Sequence, residues 1–340
     1  MTKTRTQTKT KRKTSGKAQK ADENQVPDKP KVKYHIRNWA TYNENLKKRG
    51  SVTLWIDEDV FQAWKPAPEA VRLRGGQKQY TDGAIECLLL VKHVYHLAYR
   101  QTEGFAQSLS QLLGMELPIP DYSTLNRRAK KLDVKLPTST KGPIHAVLDS
   151  TGLKVYGEGE WKVRQHGYSK RRTWRKLHLG VDEATGEIEA ELLTGAGVDD
   201  AEAAAGLLKQ TQSEIQQLSG DGAYDKEKVY KAAAAKGVSK IKITIPPRRD
   251  AVLWEENGIE PHPRNENLRR IWECGRKEWK EESGYHRRSL AETAMFRFKT
   301  IFGDHLNARE AKRQKTEARV KCAALNRMTR LGMPDSYRIN

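Results

Sequence analysis

The chain has 340 residues, enough for two domains and a sizeable core. Lys and Arg number 63 against 43 Asp and Glu, a formal charge of +20 that suits a protein meeting a polyanion. No apolar run reaches the roughly 18 residues of a spanning helix, no signal peptide opens the chain, and the three scattered cysteines, Cys87, Cys274 and Cys322, form no CxxC pair. A cytoplasmic protein with reduced thiols is expected, associated with nucleic acid and with no membrane partner.

Residues 1–33 are rich in Thr, Lys, Arg and Gln and cannot bury enough surface to fold alone. They read as a disordered basic arm, either a source of non-specific phosphate affinity or a solubilising tail. Residues 34–136 read as a small helical domain. NWATYNENLKKRG is a short helix closed by Gly50, and SVTLW is a brief strand-like run. A strongly apolar helix is expected over residues 84–100, a second over 102–113 ended by Gly114, and a third, basic one in DYSTLNRRAKKL. Asp121 or Ser123 can cap that third helix, and Leu125, Ala129 and Leu132 form its apolar stripe. A buried helix, a second helix and a basic third helix make a helix-turn-helix-like pattern, with Arg127, Arg128, Lys130 and Lys131 as candidate DNA contacts. His93 and His96 lie three apart but have no evident third metal ligand.

PTSTKGP, residues 137–143, is a linker, after which the pattern changes to α/β for residues 144–335. IHAVLDSTGLKVYG reads as strand, turn and strand, with Asp149 closing the first strand. TWRKLHLGVD and GEIEAELLTG make two more strands about the turn ATG. A helix capped by Asp199 or Asp200, the strand QQLS before Asp221, the helix KEKVYKAAAAKG and the strand KIKIT follow. Trp161, Arg164, His166, Arg171, Arg172, Trp174, Arg175, Lys176 and His178 form a basic-aromatic run soon after Asp149. A solvated hairpin is one reading of this run; DNA contact is the one its density of cations favours. Asp182, beside a hairpin turn, reads as structural, and Asp225 as a helix cap or a support for its neighbours. No GxxxxGK pattern exists, so no nucleotide cofactor is expected.

The stretch GYHRRSLAETAMFRFKTIF, residues 284–302, carries the chemistry. At 100° per residue, Glu292 falls at about 40° from Arg288, Lys299 at about 20° and Tyr285 at about 60°. Leu290, Ala294, Phe298 and Ile301 form the apolar back. Such a face is commonly a solvated one. Asp149, however, closes the first strand, Asp221 follows the fourth and Glu292 rides the helix after the last strand, and ends of neighbouring central strands can bring residues distant in sequence together. Three carboxylates without Cys or His suit Mg²⁺ or Mn²⁺, and two such ions can serve phosphodiester chemistry.

Tyr285, Arg288, Glu292 and Lys299 match the Y-x2-R-x3-E-x6-K signature of bacterial insertion-sequence DDE transposases without departure. HAVLDSTGLKVYGEGEW, RRTWRKLHLGVD and LSGDGAYD resemble companion blocks of the insertion-sequence-5 family, and NWATYNENLKKRGSVTLWID resembles the N-terminal block of its insertion-sequence-903 subgroup. The resemblance covers residues 34–302 with its blocks in order. It implies an RNase H-like mixed sheet flanked by helices, with Asp149, Asp221 and Glu292 as catalytic metal ligands and Tyr285, Arg288 and Lys299 on DNA. It further implies cleavage at terminal inverted repeats, joining of 3′-hydroxyl ends to target DNA, and a homo-oligomeric synaptic complex. A nuclease without a joining step and a non-catalytic repressor are the alternatives.

Overall fold

The computed structural model describes residues 33–56, 58–66, 79–136, 138–139, 141–155, 174–236, 241–255 and 262–339. The basic arm up to residue 32, Gly157, Gly159 and the part of the basic-aromatic run at 161–173, with Arg171 and Arg172, lie outside these residues.

Two units are distinguished. The smaller is an antiparallel ribbon of β1 (Lys33–Ile36) and β8 (Ser336–Ile339), in which His35 stands opposite Tyr337. Neither strand was read from the sequence, because four-residue exposed strands carry no apolar alternation.

The larger unit begins with helices α1 (Trp39–Lys48), α2 (Val52–Trp55), α3 (Glu58–Gln62), α4 (Asp82–Val94), α5 (Tyr99–Leu112) and α6 (Tyr122–Ala129). The strand-like SVTLW is the one-turn helix α2, which buries Trp55 and ties its indole to the Arg49 carbonyl at 3.0 Å. The long apolar helix stops at Val94, since the chain reverses at His96 with φ 54° before α5 starts. Residues 113–121 separate α5 from α6, well beyond the roughly three- or four-residue turn of a helix-turn-helix. The three helices exist, but the described geometry does not confirm that motif.

The sheet follows: β2 (Ile144–Val155), β3 (Trp174–Asp182), β4 (Ile188–Gly195), helix α7 (Asp200–Gln210), β5 (Ile215–Ser219), α8 (Glu227–Ala234) and β6 (Lys242–Thr244). Then come α9 (Pro263–Glu282), α10 (Ser289–Phe302), β7 (His305–Leu306) and α11 (Ala311–Arg330). Strand order is β4-β3-β2-β5-β6, with β7 also on β2. The first three strands run antiparallel and the next two parallel to β2, the mixed sheet of an RNase H-like core. The expected turn inside the first segment is absent: β2 is continuous, because β3 pairs with it from Ala146 to Lys154. Asp149 therefore lies mid-strand and does not close one.

One face of the sheet, with Val147, Leu153, Leu177 and Leu179, joins Phe298 and Phe302 of α10, Leu325 and Met328 of α11, and Leu88, Val91 and Leu125 from the helical segment in a single cluster. The other face, with Ala146 and Leu148, packs on α7 and α8. The composition change at 137–143 is thus a change of local structure and not a gap in the core. The edge strand β4 is covered by α11, whose Asn326 side chain bonds the Ile188 N–H and carbonyl at 2.8 Å each.

Glu191 of β4 is buried 3.7 Å from the Arg319 guanidinium, too far for a hydrogen bond. Burial pushes its carboxyl up to about 7, with Arg319 and Lys315 only partly opposing. A raised carboxyl contributes fully below the unfolded value of 4.5 and loses that contribution as pH rises to about 7. Glu191→Gln should therefore match wild type near pH 4.5 and become more stable by up to about 3 kcal/mol above pH 7. Denaturant melts of both proteins across that range check the sign.

Candidate active site

The parallel pairing of β2 with β5 ends at Val147↔Ser219. Two residues further along each strand direction stand Asp149, still within β2, and Asp221, just past the end of β5. Asp149 shares the face of Val147 and Leu153, the face that α10 covers. Asp221 caps the tight turn Gly222–Tyr224 and accepts from the Ala223 N–H at 2.9 Å. The turn depends on Gly220, where an added Cβ would lie 2.9 Å from Cδ2 of buried Tyr224.

Glu292 lies in the first turn of α10. The helix is held by Ala291, Ala294, Met295, Phe298 and Phe302, all buried, while Leu290 and Ile301 are only half-buried. Tyr285 and Arg288 belong to a preceding 3₁₀ turn, Tyr285–Arg288, so the uniform 100° wheel does not extend to them. Arg288 still reaches Glu292: one terminal nitrogen binds Glu292 Oε1 and the other lies 3.7 Å from Asp149 Oδ2.

Burial raises the Asp149 carboxyl, with the Ser150 N–H and Arg288 pulling it down and Asp221 and Glu292 pushing it up. Burial also opposes the charge on Arg288, but Tyr285, Glu292, Asp149 and Asp221 outweigh it and hold the guanidinium above its ordinary value. The three carboxylates thus share one electrostatic neighbourhood with Arg288 inside it. Tyr285 is wedged between the Trp279 ring, 6.0 Å away, and the cations of Lys280 and Arg288, at 5.2 and 5.8 Å. Lys299 lies two turns beyond Glu292, half-buried.

The set of three carboxylates is chemically right for a hard divalent cation. Among the described residues, however, no three Asp, Glu, His or Cys side chains are close enough to enclose one. Arg288 supplies the positive charge there instead.

Behind the carboxylates is a polar layer that the sequence did not disclose. The Tyr224 hydroxyl is buried without a partner among the described residues, and burial, Asp200, Asp149 and Asp221 all raise its pKa. His178 is fully buried with Nδ1 3.3 Å from Asp200 Oδ1, and Lys176 Nζ reaches the same oxygen at 3.3 Å. Burial lowers the His178 imidazole to about 4, so it is neutral at neutral pH. Alternation along WRKLHLGVD was the available signal that Lys176 and His178 share the α7-facing side.

Most other expected DNA contacts are similarly occupied. Arg175 Nε donates to Gln314 Oε1 at 2.9 Å, and Trp174 lies under Lys154 at 5.9 Å. Arg128 ties α6 to the Tyr80 carbonyl and Asp82. Lys130 pairs with Glu310 at 2.6 Å, and Arg127 donates to Thr124 Oγ1 at 3.1 Å. Lys131 is exposed just past the end of α6. Asp182 holds the hairpin turn by accepting from Ala184 N, Thr185 N and Thr185 Oγ1. Asp225 is not the N-cap of α8, which is Lys226: it accepts from Arg264 Nε at 2.9 Å and from the Tyr230 hydroxyl at 3.1 Å, tying α8 to α9.

A family model described as Transposase DDE domain matches residues 140–327, more than half of the chain, and spans all three carboxylates. A second model of the same description matches residues 47–158. The chain belongs to the DDE transposases. The transposase domain thus includes α10 and α11 as well as the sheet. Among the described residues no helix is long and apolar enough to cross a membrane.

Gly220→Ala should displace the Tyr224 ring and with it the turn that presents Asp221. A loss of roughly 1–3 kcal/mol in chemical denaturation is expected, with the Tyr224 fluorescence or ring resonances altered. An unchanged melt would mean that the turn relaxes freely.

Proposed function

We propose that this transposase cuts DNA at the ends of a bacterial insertion sequence and joins the freed 3′-hydroxyl to target DNA. The observation that carries the reading is the convergence of Asp149, Asp221 and Glu292 at the carboxyl end of β5, inside a chain that belongs to the DDE family. We place the chain in the insertion-sequence-5 family on its four ordered sequence blocks. Terminal-repeat recognition falls to the helical segment 34–136 ahead of the sheet, and a homo-oligomeric synaptic complex would bring two ends together. Residues 144–335 would carry the chemistry.

In this reading Asp149, Asp221 and Glu292 hold Mg²⁺ or Mn²⁺. Such ions, two in number, would activate the attacking oxygen and neutralise charge on the phosphate and the leaving oxygen. Arg288 neutralises Asp149 and Glu292 within the protein alone and has the planar fork suited to a phosphate. Tyr285, fixed by Trp279 and flanked by cations, and Lys299 of α10 would contact a strand passing beside Glu292. The reading uses no covalent enzyme intermediate: water would attack first and the DNA 3′-hydroxyl later.

Asp149→Asn, Asp221→Asn and Glu292→Gln should each remove cleavage and joining together, by on the order of 10²-fold or more. Binding of terminal DNA should persist in all three. Arg288→Lys should also be impaired, since a point charge cannot replace the fork. The assay incubates each protein with a labelled terminal fragment, a target plasmid and Mg²⁺, and scores nicked and joined products. Near wild-type joining by Glu292→Gln would sink the assignment. Cutting without joining by the wild type would make it a nuclease, and binding without cutting a repressor.

With the metal chelated, Asp149→Asn should melt no lower than wild type. Burial raises its carboxyl, so the charged form costs stability, a cost absent below the ordinary carboxylate range and reached as pH rises through the folded pKa. Added Mg²⁺ should raise the melting temperature of the wild type and not of the variant. A large drop in the chelated variant would give Asp149 a purely structural role.

A further inference from the structure

The wall shared by α4 and α11 holds charge that the described residues do not balance. Lys92 and Lys321 are 7% and 2% exposed, and both stand near one carboxylate, Glu317, which is 4% exposed. Glu317 is already committed. It accepts from Lys321 Nζ at 2.8 Å, from Asn307 N at 3.0 Å and from Ala308 N at 2.8 Å. Lys92 Nζ faces the Tyr99 ring at 4.9 Å and forms no ion pair among the described residues. Burial lowers its pKa, Glu317 opposes and Lys321 reinforces. A largely buried side chain whose ammonium lacks a carboxylate of its own and lines a cavity is a ready partner for an entering anion.

Beside Lys92 is a cavity of about 530 Å³. Its wall comes from α4, α5, α6, the segment after β7, and α11, and includes His93, His96, Arg309 and Arg313. Arg313 is partly spent on Glu310 at 2.9 Å and on the Asn126 carbonyl. Among the described residues that line the wall, the one carboxylate is the saturated Glu317. His96 is the one non-glycine residue at positive φ among the described residues, a strained conformation that holds the α4–α5 reversal against this space. The volume exceeds that of a bare inorganic anion and leaves room for a sugar or a planar ring beside Tyr99.

We propose that this cavity binds a phosphate ester, with Lys92 as the buried cationic contact, Arg309 at the rim and the Tyr99 ring alongside. The phosphate could belong to a DNA strand or to a free nucleotide, and the two sources share the same recognition chemistry. The site is separate from the three carboxylates, so it stands or falls independently of the metal reading.

The test titrates the full chain with inorganic phosphate, with deoxyadenosine monophosphate and with a short single-stranded oligonucleotide, following thermal unfolding and direct binding. At least one probe should stabilise the wild type, and Lys92→Met should weaken that probe at least tenfold. Without any probe, Lys92→Met should be as stable as wild type or more so, because an unbalanced buried charge has gone. A lysine that only supports the fold would lose stability there. Arg309→Gln changes an exposed residue, keeps the fold and should weaken the same probe several-fold. Lys92-dependent binding of phosphate or the monophosphate assigns a free ligand, and Lys92-dependent binding of the oligonucleotide alone assigns a strand. Equal stabilisation of wild type, Lys92→Met and Arg309→Gln, or none from any probe, overturns the proposal.

Discussion

The constraint on which the site depends is the short parallel register of β5 against β2. Four residues of pairing bring Ile215–Ser219 alongside Ile144–Val147, and then β5 stops while β2 continues. That stop lets the chain turn out at Asp221 beside an Asp149 that is still held in a strand. Two carboxylates are thereby held within electrostatic reach of each other, and α10 brings Glu292 into the same neighbourhood. Like charges so placed repel, and burial makes the repulsion worse. Arg288 relieves part of it. The arrangement is stable only because a large apolar cluster beneath it absorbs the cost: Phe298 and Phe302 are both buried against the sheet, each worth roughly 1.5–3 kcal/mol.

The same cluster ties the helical segment to the sheet. Leu88, Val91 and Leu125 pack with Val147, Leu177 and α11 residues. Polar bonds reinforce the join, since Thr316 Oγ1 donates to the Ala129 carbonyl at 2.7 Å and Arg313 Nε to the Asn126 carbonyl at 2.9 Å. α6 therefore sits on α11, and α11 covers the edge of the sheet through Asn326. The surface of α6 is thus mechanically continuous with the frame that carries Glu292. A swinging recognition module on a flexible linker is not what this packing describes.

Much of the sheet was legible because its strands alternate or run apolar, and its helices open on good caps. Asp199 and Asp121 each accept the N–H groups expected of an N-cap. The convergence of Asp149 and Asp221 could be anticipated from strand ends, but the continuity of β2 could not. Thr151 and Gly152 look like a turn in isolation, and only pairing with Lys176 and Leu177 overrides that local preference. The 3₁₀ turn before α10 was hidden in a pattern that fits a helix equally well. Among the functional candidates, carboxylates were easier to place than cations. A buried carboxylate needs a special location, whereas a lysine or arginine can find a partner almost anywhere along its length.

That asymmetry bears on where the excess positive charge can act. The sequence counts every cation alike, but the fold spends many of them internally. Arg128, Lys130, Arg175, Lys176 and Arg287 are each bonded to a neighbouring side chain or carbonyl. A cation already paired releases fewer counterions on meeting DNA, because a carboxylate has done part of that work. Exposed Lys131 and half-buried Lys299, which form no ion pair among the described residues, keep their charge available. The phosphate affinity of the structured part must then rest on scattered cations such as these and on pairs that open when DNA arrives. Under the proposed function, pairs of the second kind, above all Arg288 with Asp149 and Glu292, would couple DNA contact to the charge state of the carboxylates. A phosphate that drew Arg288 away would leave Asp149 and Glu292 short of positive charge at the moment a divalent cation would be most strongly attracted. The arginine that pairs with the carboxylates in the protein alone would then also be the group that makes their use conditional on DNA.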